Sequence, residues 1–188
     1  NMTLDVESLT AFVEDNKHSR IFLFGFTFMV YLHFIKELKA RKLNLDLSNA
    51  VLVHGGGWKK LERQAVSSKE FRQMLKDLCG IENVYDYYGM VEQTGSIYME
   101  CEMGHLHASI YSDVIIRNPH DFSVAQFGET GIIQTVSVLP RSYPGHSLLT
   151  EDEGVILGED DCECGRLVKY FKIEGRIKNA EIRGCSDT

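Results

Sequence analysis

Apolar and polar positions follow one rule in the first part of this chain and another in the second. In the first part, short apolar runs alternate with stretches of helical period. RIFLFGF (20–26) is a run of strand length that ends near Gly25, and residues 27–41 continue as a helix. NAVLVHGGG (49–57) is an apolar strand running into three glycines. SSKEFRQMLKDLCG (67–80) places Phe71, Leu75 and Leu78 on one helical face, with Ser67 and Glu70 in capping-box spacing and Gly80 as the stop. NVYDYYG (83–89) is the next strand. Strands separated by helices predict a parallel sheet with helices on its faces.

From Ile97 onward the helical period disappears. SIYMEC, HASIYSDVIIRN, TGIIQTVSVL, GVIL, LVKYFKI and NAEIRG are short β-type runs punctuated by Gly, Pro, Asn and Asp. The expected fold class is therefore α/β, a parallel sheet with flanking helices followed by a β-rich portion built as a distorted barrel or curled sheet. The predicted division is an α/β half over 1–100, a β-rich portion over 101–174 and a tail over 175–188.

Composition narrows the class without changing that picture. A chain of 188 residues has room for one ordinary domain with a substantial core, or a domain and a small appendage. Its net charge of −7 weighs against a nucleic-acid or anionic-membrane surface, because either would be repelled. The most apolar run, Ile21 to Ile35, is broken by Gly25, Thr27 and His33 and is shorter than the about 20 residues a spanning helix needs, so no membrane insertion is expected. The amino end is acidic and polar, carries no secretory leader and starts with Asn1, so the chain reads as a piece of something longer. Five cysteines make no tidy disulfide framework. A reducing, cytoplasmic setting follows, with thiols available for metal or chemistry.

Two strands end in loops of ligand type. After VLVHGGGW, Gly55, Gly56 and Gly57 let a backbone approach a ring or phosphate closely, and His54 stands beside them. After NVYDYYG, Tyr87, Tyr88 and Gly89 lead to Glu92; Tyr88 offers an aromatic face for a base, and Glu92 a hard oxygen for Mg²⁺. A tight turn and a solvated loop acid would leave the same spacing. The cysteines suggest a metal. CEMGHLH (101–107) supplies Cys101 with His105 or His107, and CECG (162–165) supplies Cys162 and Cys164, with Gly165 permitting the bend that turns both sulfurs inward. Four such ligands in a closed set are the donors of a structural Zn²⁺, although small buried thiols and solvated histidines would read alike.

YYGMVEQTG (87–95) resembles the Tyr-Gly-x-x-Glu motif of the adenylate-forming enzymes, and three more stretches follow in that superfamily's order. GETGIIQTVSVLP (128–140) resembles its Gly-Glu-x-Gly strand, YPGHSLLTEDEG (143–154) the segment that brings an aspartate to the ribose hydroxyls, and EGRIKNAEIRGC (174–185) its Gly-Arg hinge. VHGGGWKKLE, SYPGHSLLTEDEG and EIRGC look most like the LuxE-type acyl-protein synthetases, with the phenylacetate-CoA ligases as near cousins. The resemblance implies the large-domain fold of these enzymes and activation of a fatty or other carboxylic acid by ATP and Mg²⁺. Glu92 would help hold the metal, the HGGG and YYG backbones would cradle adenine, and Asp152 would grip ribose. Arg176 would counter phosphate charge or brace the hinge.

By the same resemblance Cys185 would carry the acyl group to a reductase partner, and His107 rather than His105 would join the zinc ligands. The superfamily's Ser/Thr/Gly-rich phosphate loop and its lid domain are absent, so the chain resembles a carboxyl-terminal half, inactive in adenylation by itself. A CoA-forming ligase of the same superfamily and a non-catalytic zinc-bearing interaction module are the alternatives.

Overall fold

Val6–Asp15 forms a helix, α1, in a stretch where the apolar pattern announces none. Asp5 caps it, its carboxylate accepting from the Ser8 N–H, and Glu7 lies in the first turn, where the helix dipole favours an acid. The signal was the cap rather than the face, since Val13 is its one buried residue. The computed structural model describes residues 3–141 and 143–177. The chain divides into two compact units, Asn1–Asp86 and Tyr87–Thr188.

In the first unit, β1 (Ile21–Phe26) runs directly into three consecutive helical segments, α2 (Thr27–Met29), a π stretch (Val30–Ile35) and α3 (Lys36–Arg41). β2 (Ala50–Gly55) pairs with β1 in parallel, Ile21 opposite Ala50 and Phe26 opposite Gly55. α4 (Ser68–Cys79) begins at the predicted capping box, Ser67 and Glu70 exchanging both bonds, and stops at Gly80. It returns the chain to β3 (Asn83–Tyr88), β2's neighbour. Ile35, Leu38, Leu47, Leu52, Phe71, Leu75, Ile81 and Val84 form the core of this unit. Strand, helix and strand thus recur as the apolar period predicts.

The second unit is antiparallel. Tyr87 and Tyr88, the last residues of β3, pair with Met99 and Tyr98 of β4 (Tyr98–Glu100), and the boundary between the two units falls inside β3. Beyond β4 come β5 (Leu106–His107), β9 (Lys169–Arg176), β8 (Ser147–Glu159), β7 (Gly131–Ser137) and β6 (Ser112–Arg117). Register shifts interrupt β7/β8 between Ile132 and Gln134, and β8/β9 at two places, bending the long β8. Tyr98, Val114, Ile116, Ile133, Ile156 and Phe171 are its buried core. Among the described residues no helix is long and apolar enough to cross a membrane.

Candidate functional site

In the first unit, β2 delivers the glycine loop. Gly56 and Gly57 have φ of +80° and +63°, a left-handed backbone that a side chain at both positions would strain. His54 points the other way, into the unit's interior, 6% exposed and against Phe71 at 4.8 Å between ring centroids. The Thr27 hydroxyl lies 2.9 Å from His54 Nδ1 and 3.1 Å from the Gly55 carbonyl. A hydroxyl has one proton, so when Thr27 donates to Gly55 it accepts from Nδ1–H. Burial, reinforced by the Arg72 charge, lowers the His54 pKa to about 4, so the ring is neutral near pH 7. Thr27 and His54 thus anchor the root of the loop from behind.

In the second unit, β8 and β9 bring Asp152 opposite Arg176. The Arg176 Nε lies 3.4 Å from Asp152 Oδ1, and its Nη2 donates to Glu151 Oε2 at 3.3 Å. The Tyr88 hydroxyl donates to Asp152 Oδ2 at 2.8 Å. Thr150 Oγ1 accepts the Asp152 N–H at 3.1 Å and donates to the Ile133 carbonyl at 2.8 Å, which fixes the backbone on which the acid stands. Asp152 therefore differs from its neighbour Glu151, with side chains 23% and 54% exposed. Burial and the facing Asp152 carboxylate push the Tyr88 phenol well above its ordinary pKa, so it stays a proton donor. The Tyr88 ring lies near Tyr98 at 6.0 Å and edge-on to Phe171 at 6.3 Å.

Glu92 is exposed on the short 3₁₀ turn Val91–Gln93 that follows Gly89. Its neighbour Gln93 is 1% exposed and donates from Nε2 to the Thr135 and Gly145 carbonyls at 3.3 and 3.0 Å. Reasoning from sequence missed Gln93, Thr150 and the Tyr88 hydroxyl. Each acts on a partner tens of residues away or on a local backbone atom, and no spacing in the chain encodes that.

The sulfur and imidazole ligand atoms of Cys101, His107, Cys162 and Cys164 all lie within 4.8 Å of one another. His107 Nε2 is 3.4 Å from Cys164 Sγ. Tetrahedral zinc with ordinary Zn–S and Zn–N bonds sets N and S about 3.5 Å apart, so the donor set and its spacing fit that ion. Gly165, at φ +80°, turns the chain after Cys164 while its N–H bonds the Cys162 carbonyl at 2.9 Å. His105 Nδ1 lies 3.4 Å from Cys162 Sγ but outside the set of four, and Tyr170 stacks on both imidazoles. Cys185 lies outside the described residues, as does the NAEIRG stretch.

The fold is that of the adenylate-forming enzymes. A 2-hydroxyisobutyryl-CoA ligase crystallised with 2-HIB-AMP and CoA superposes with a TM-score of 0.70 at 19% identity, covering 92% of this chain and 36% of that one. A long-chain-fatty-acid-CoA ligase from Archaeoglobus fulgidus gives 0.60 at 14% identity over 92% of this chain and 37% of that one. Within that class, the chain belongs to the LuxE family of acyl-protein synthetases, whose family model matches residues 5–188. A long-chain-fatty-acid–luciferin-component ligase from Aliivibrio fischeri is 25% identical over 181 residues, 91% of this chain and 45% of that protein. Its counterpart from Vibrio harveyi is 24% identical over 139 residues, 72% of this chain and 35% of the relative. The chain thus spans less than half the length of these curated relatives.

Proposed function

We propose that this chain is the nucleotide-gripping part of an ATP-dependent acyl-protein synthetase that activates a fatty or other carboxylic acid as its acyl-adenylate. The observation that carries the reading is the carboxylate of Asp152. In a chain of the acyl-protein synthetase family, the acid matching the ribose-binding motif is half-buried and held by Tyr88 and Arg176. In the reaction, a substrate carboxylate oxygen bonds to the α-phosphorus of ATP, and the bond from that phosphorus to the bridging oxygen breaks. Pyrophosphate leaves with the electron pair.

Asp152 accepts the ribose hydroxyls, and the backbone of Tyr87–Gly89 and, taken by itself in the first unit, that of Gly55–Gly57 are each assigned to adenine binding by the motifs they match. Arg176 counters phosphate charge. Glu92 is the residue that would hold Mg²⁺, and the ion would supply charge neutralisation at the phosphoryl oxygens. Cys101, His107, Cys162 and Cys164 would hold a structural Zn²⁺, which leaves no coordination position for substrate.

In the second step, the thiolate of Cys185 attacks the acyl carbonyl and expels AMP, and the resulting thioester is delivered to a reductase. A reducing cytoplasm suits this chemistry and the four free thiols of the described residues. The test is calorimetric titration of the full-length protein with AMP, followed by pyrophosphate exchange across a panel of carboxylic acids. Asp152→Ala is expected to weaken AMP by about a hundredfold, the loss of two hydrogen bonds to a charged acceptor. Unchanged affinity would remove the ribose assignment, and absence of any nucleotide heat in the wild type would leave an interaction module instead.

A further inference from the structure

The geometry points to Tyr88 as a positioning residue whose hydroxyl aims the Asp152 carboxylate and thereby sets a preference for a nucleotide bearing a ribose diol. This rests on the ribose assignment proposed above and adds the residue that makes it selective.

The argument starts from the aspartate. The torsion that turns a carboxylate plane is broad and weakly preferred, so the side chain alone does not decide where its lone pairs point. Here the backbone of Asp152 is tied down through Thr150, whereas the plane of the carboxylate is set by what its two oxygens meet. Oδ2 receives the Tyr88 hydroxyl at 2.8 Å, and Oδ1 faces Arg176 Nε at 3.4 Å. Each carboxylate oxygen accepts two hydrogen bonds, so one acceptor direction on each oxygen remains available. Two neighbouring acceptors match two neighbouring hydroxyl donors, which is the pattern of a vicinal diol.

The two holders are unequal. Arg176 is long, 42% exposed and shared with Glu151, so it follows the carboxylate as readily as it directs it. Tyr88 is a rigid rod. Its backbone is fixed opposite Tyr98 in the β3/β4 ladder, and its ring rests near Tyr98 and Phe171, both 0% exposed. A wall of buried rings therefore fixes where the hydroxyl sits. Orientation supplied in advance raises affinity by removing ordering that the ligand would otherwise impose.

The test compares AMP with 2′,3′-dideoxy-AMP on the full-length protein and on Tyr88→Phe, which keeps the ring and deletes only the hydroxyl. Wild type should prefer AMP. In Tyr88→Phe the affinity for AMP should fall about tenfold, roughly one hydrogen bond between the carboxylate and the diol lost once the carboxylate is no longer aimed, while affinity for the dideoxy nucleotide stays constant. The unchanged dideoxy affinity also reports that the variant is folded. An equal fall for both nucleotides, or no fall for either, would overturn the positioning role. If wild type shows no preference, or Asp152→Ala leaves AMP binding intact, the ribose reading itself fails and takes this inference with it.

Discussion

The side-chain amide of Gln93 reaches the carbonyl of Gly145 at 3.0 Å, and through the same nitrogen that of Thr135 at 3.3 Å. A fully buried amide thus ties the 3₁₀ turn carrying Glu92 to β7 and to the connection that leads into β8. Gly145 sits so close to this turn that a Cβ there would lie 2.7 Å from the Glu92 carbonyl.

Gln93→Leu preserves volume but leaves two buried carbonyls without that donor. Each such loss costs about 1–3 kcal/mol, so urea unfolding should show a destabilisation of about 2–6 kcal/mol. A variant within 0.5 kcal/mol of wild type, about the scatter of a neutral surface change, would show that the bonds contribute nothing.

His54 makes stability depend on pH. Its ordinary pKa of 6.5 applies in the unfolded chain, and burial lowers it to about 4 in the folded one. Between these values the unfolded chain binds more protons, so this contribution is complete above pH 6.5 and is lost as pH falls towards 4. Asp86, 3.6 Å from Nδ1, favours the charged ring, but its side chain is 47% exposed and water weakens the attraction. The expected loss reaches about 3 kcal/mol by pH 4, and about 2 kcal/mol of it falls between pH 7 and pH 5. Denaturation of wild type and His54→Asn at pH 7 and pH 5 measures it, and equal pH slopes in the two proteins would exclude His54 as the cause.

Purified protein should contain about one zinc per chain by elemental analysis, and Cys162→Ser should lower that content sharply. The thermal midpoint of wild type should drop on treatment with a strong chelator, and that of the variant should not. Metal content near zero in the wild type, purified without chelator, would remove the assignment.

Leu75 is 0% exposed on the inner face of α4. Leu75→Ala should cost about 2–5 kcal/mol in denaturant unfolding, the range for truncating a packed core leucine. A cost below 1 kcal/mol would mean that the helix is not docked as described.

Local chemistry made much of this molecule readable from its sequence. The Ser67–Glu70 box and Gly80 bounded α4 because both signals act within one helical turn. The apolar runs of 20–26, 49–57 and 83–89 marked β1, β2 and β3, because period alone separates strand from helix. α1 stayed hidden, since it buries a single residue and has little apolar face to show. The metal ligands were visible as residue types; which atoms would meet was not.

Sequence by itself determined the class, the order of elements after α1 and the residue types on which any chemistry would draw. Those depend on short-range pattern and on side-chain identity, which the chain carries in linear form. Tertiary structure decided which of those residues act on one another. It set Tyr88 against Asp152 across 64 positions, turned His54 inward and placed Cys164 beside His107. Strand pairing and register create those contacts, and they exist only once distant segments have been brought together.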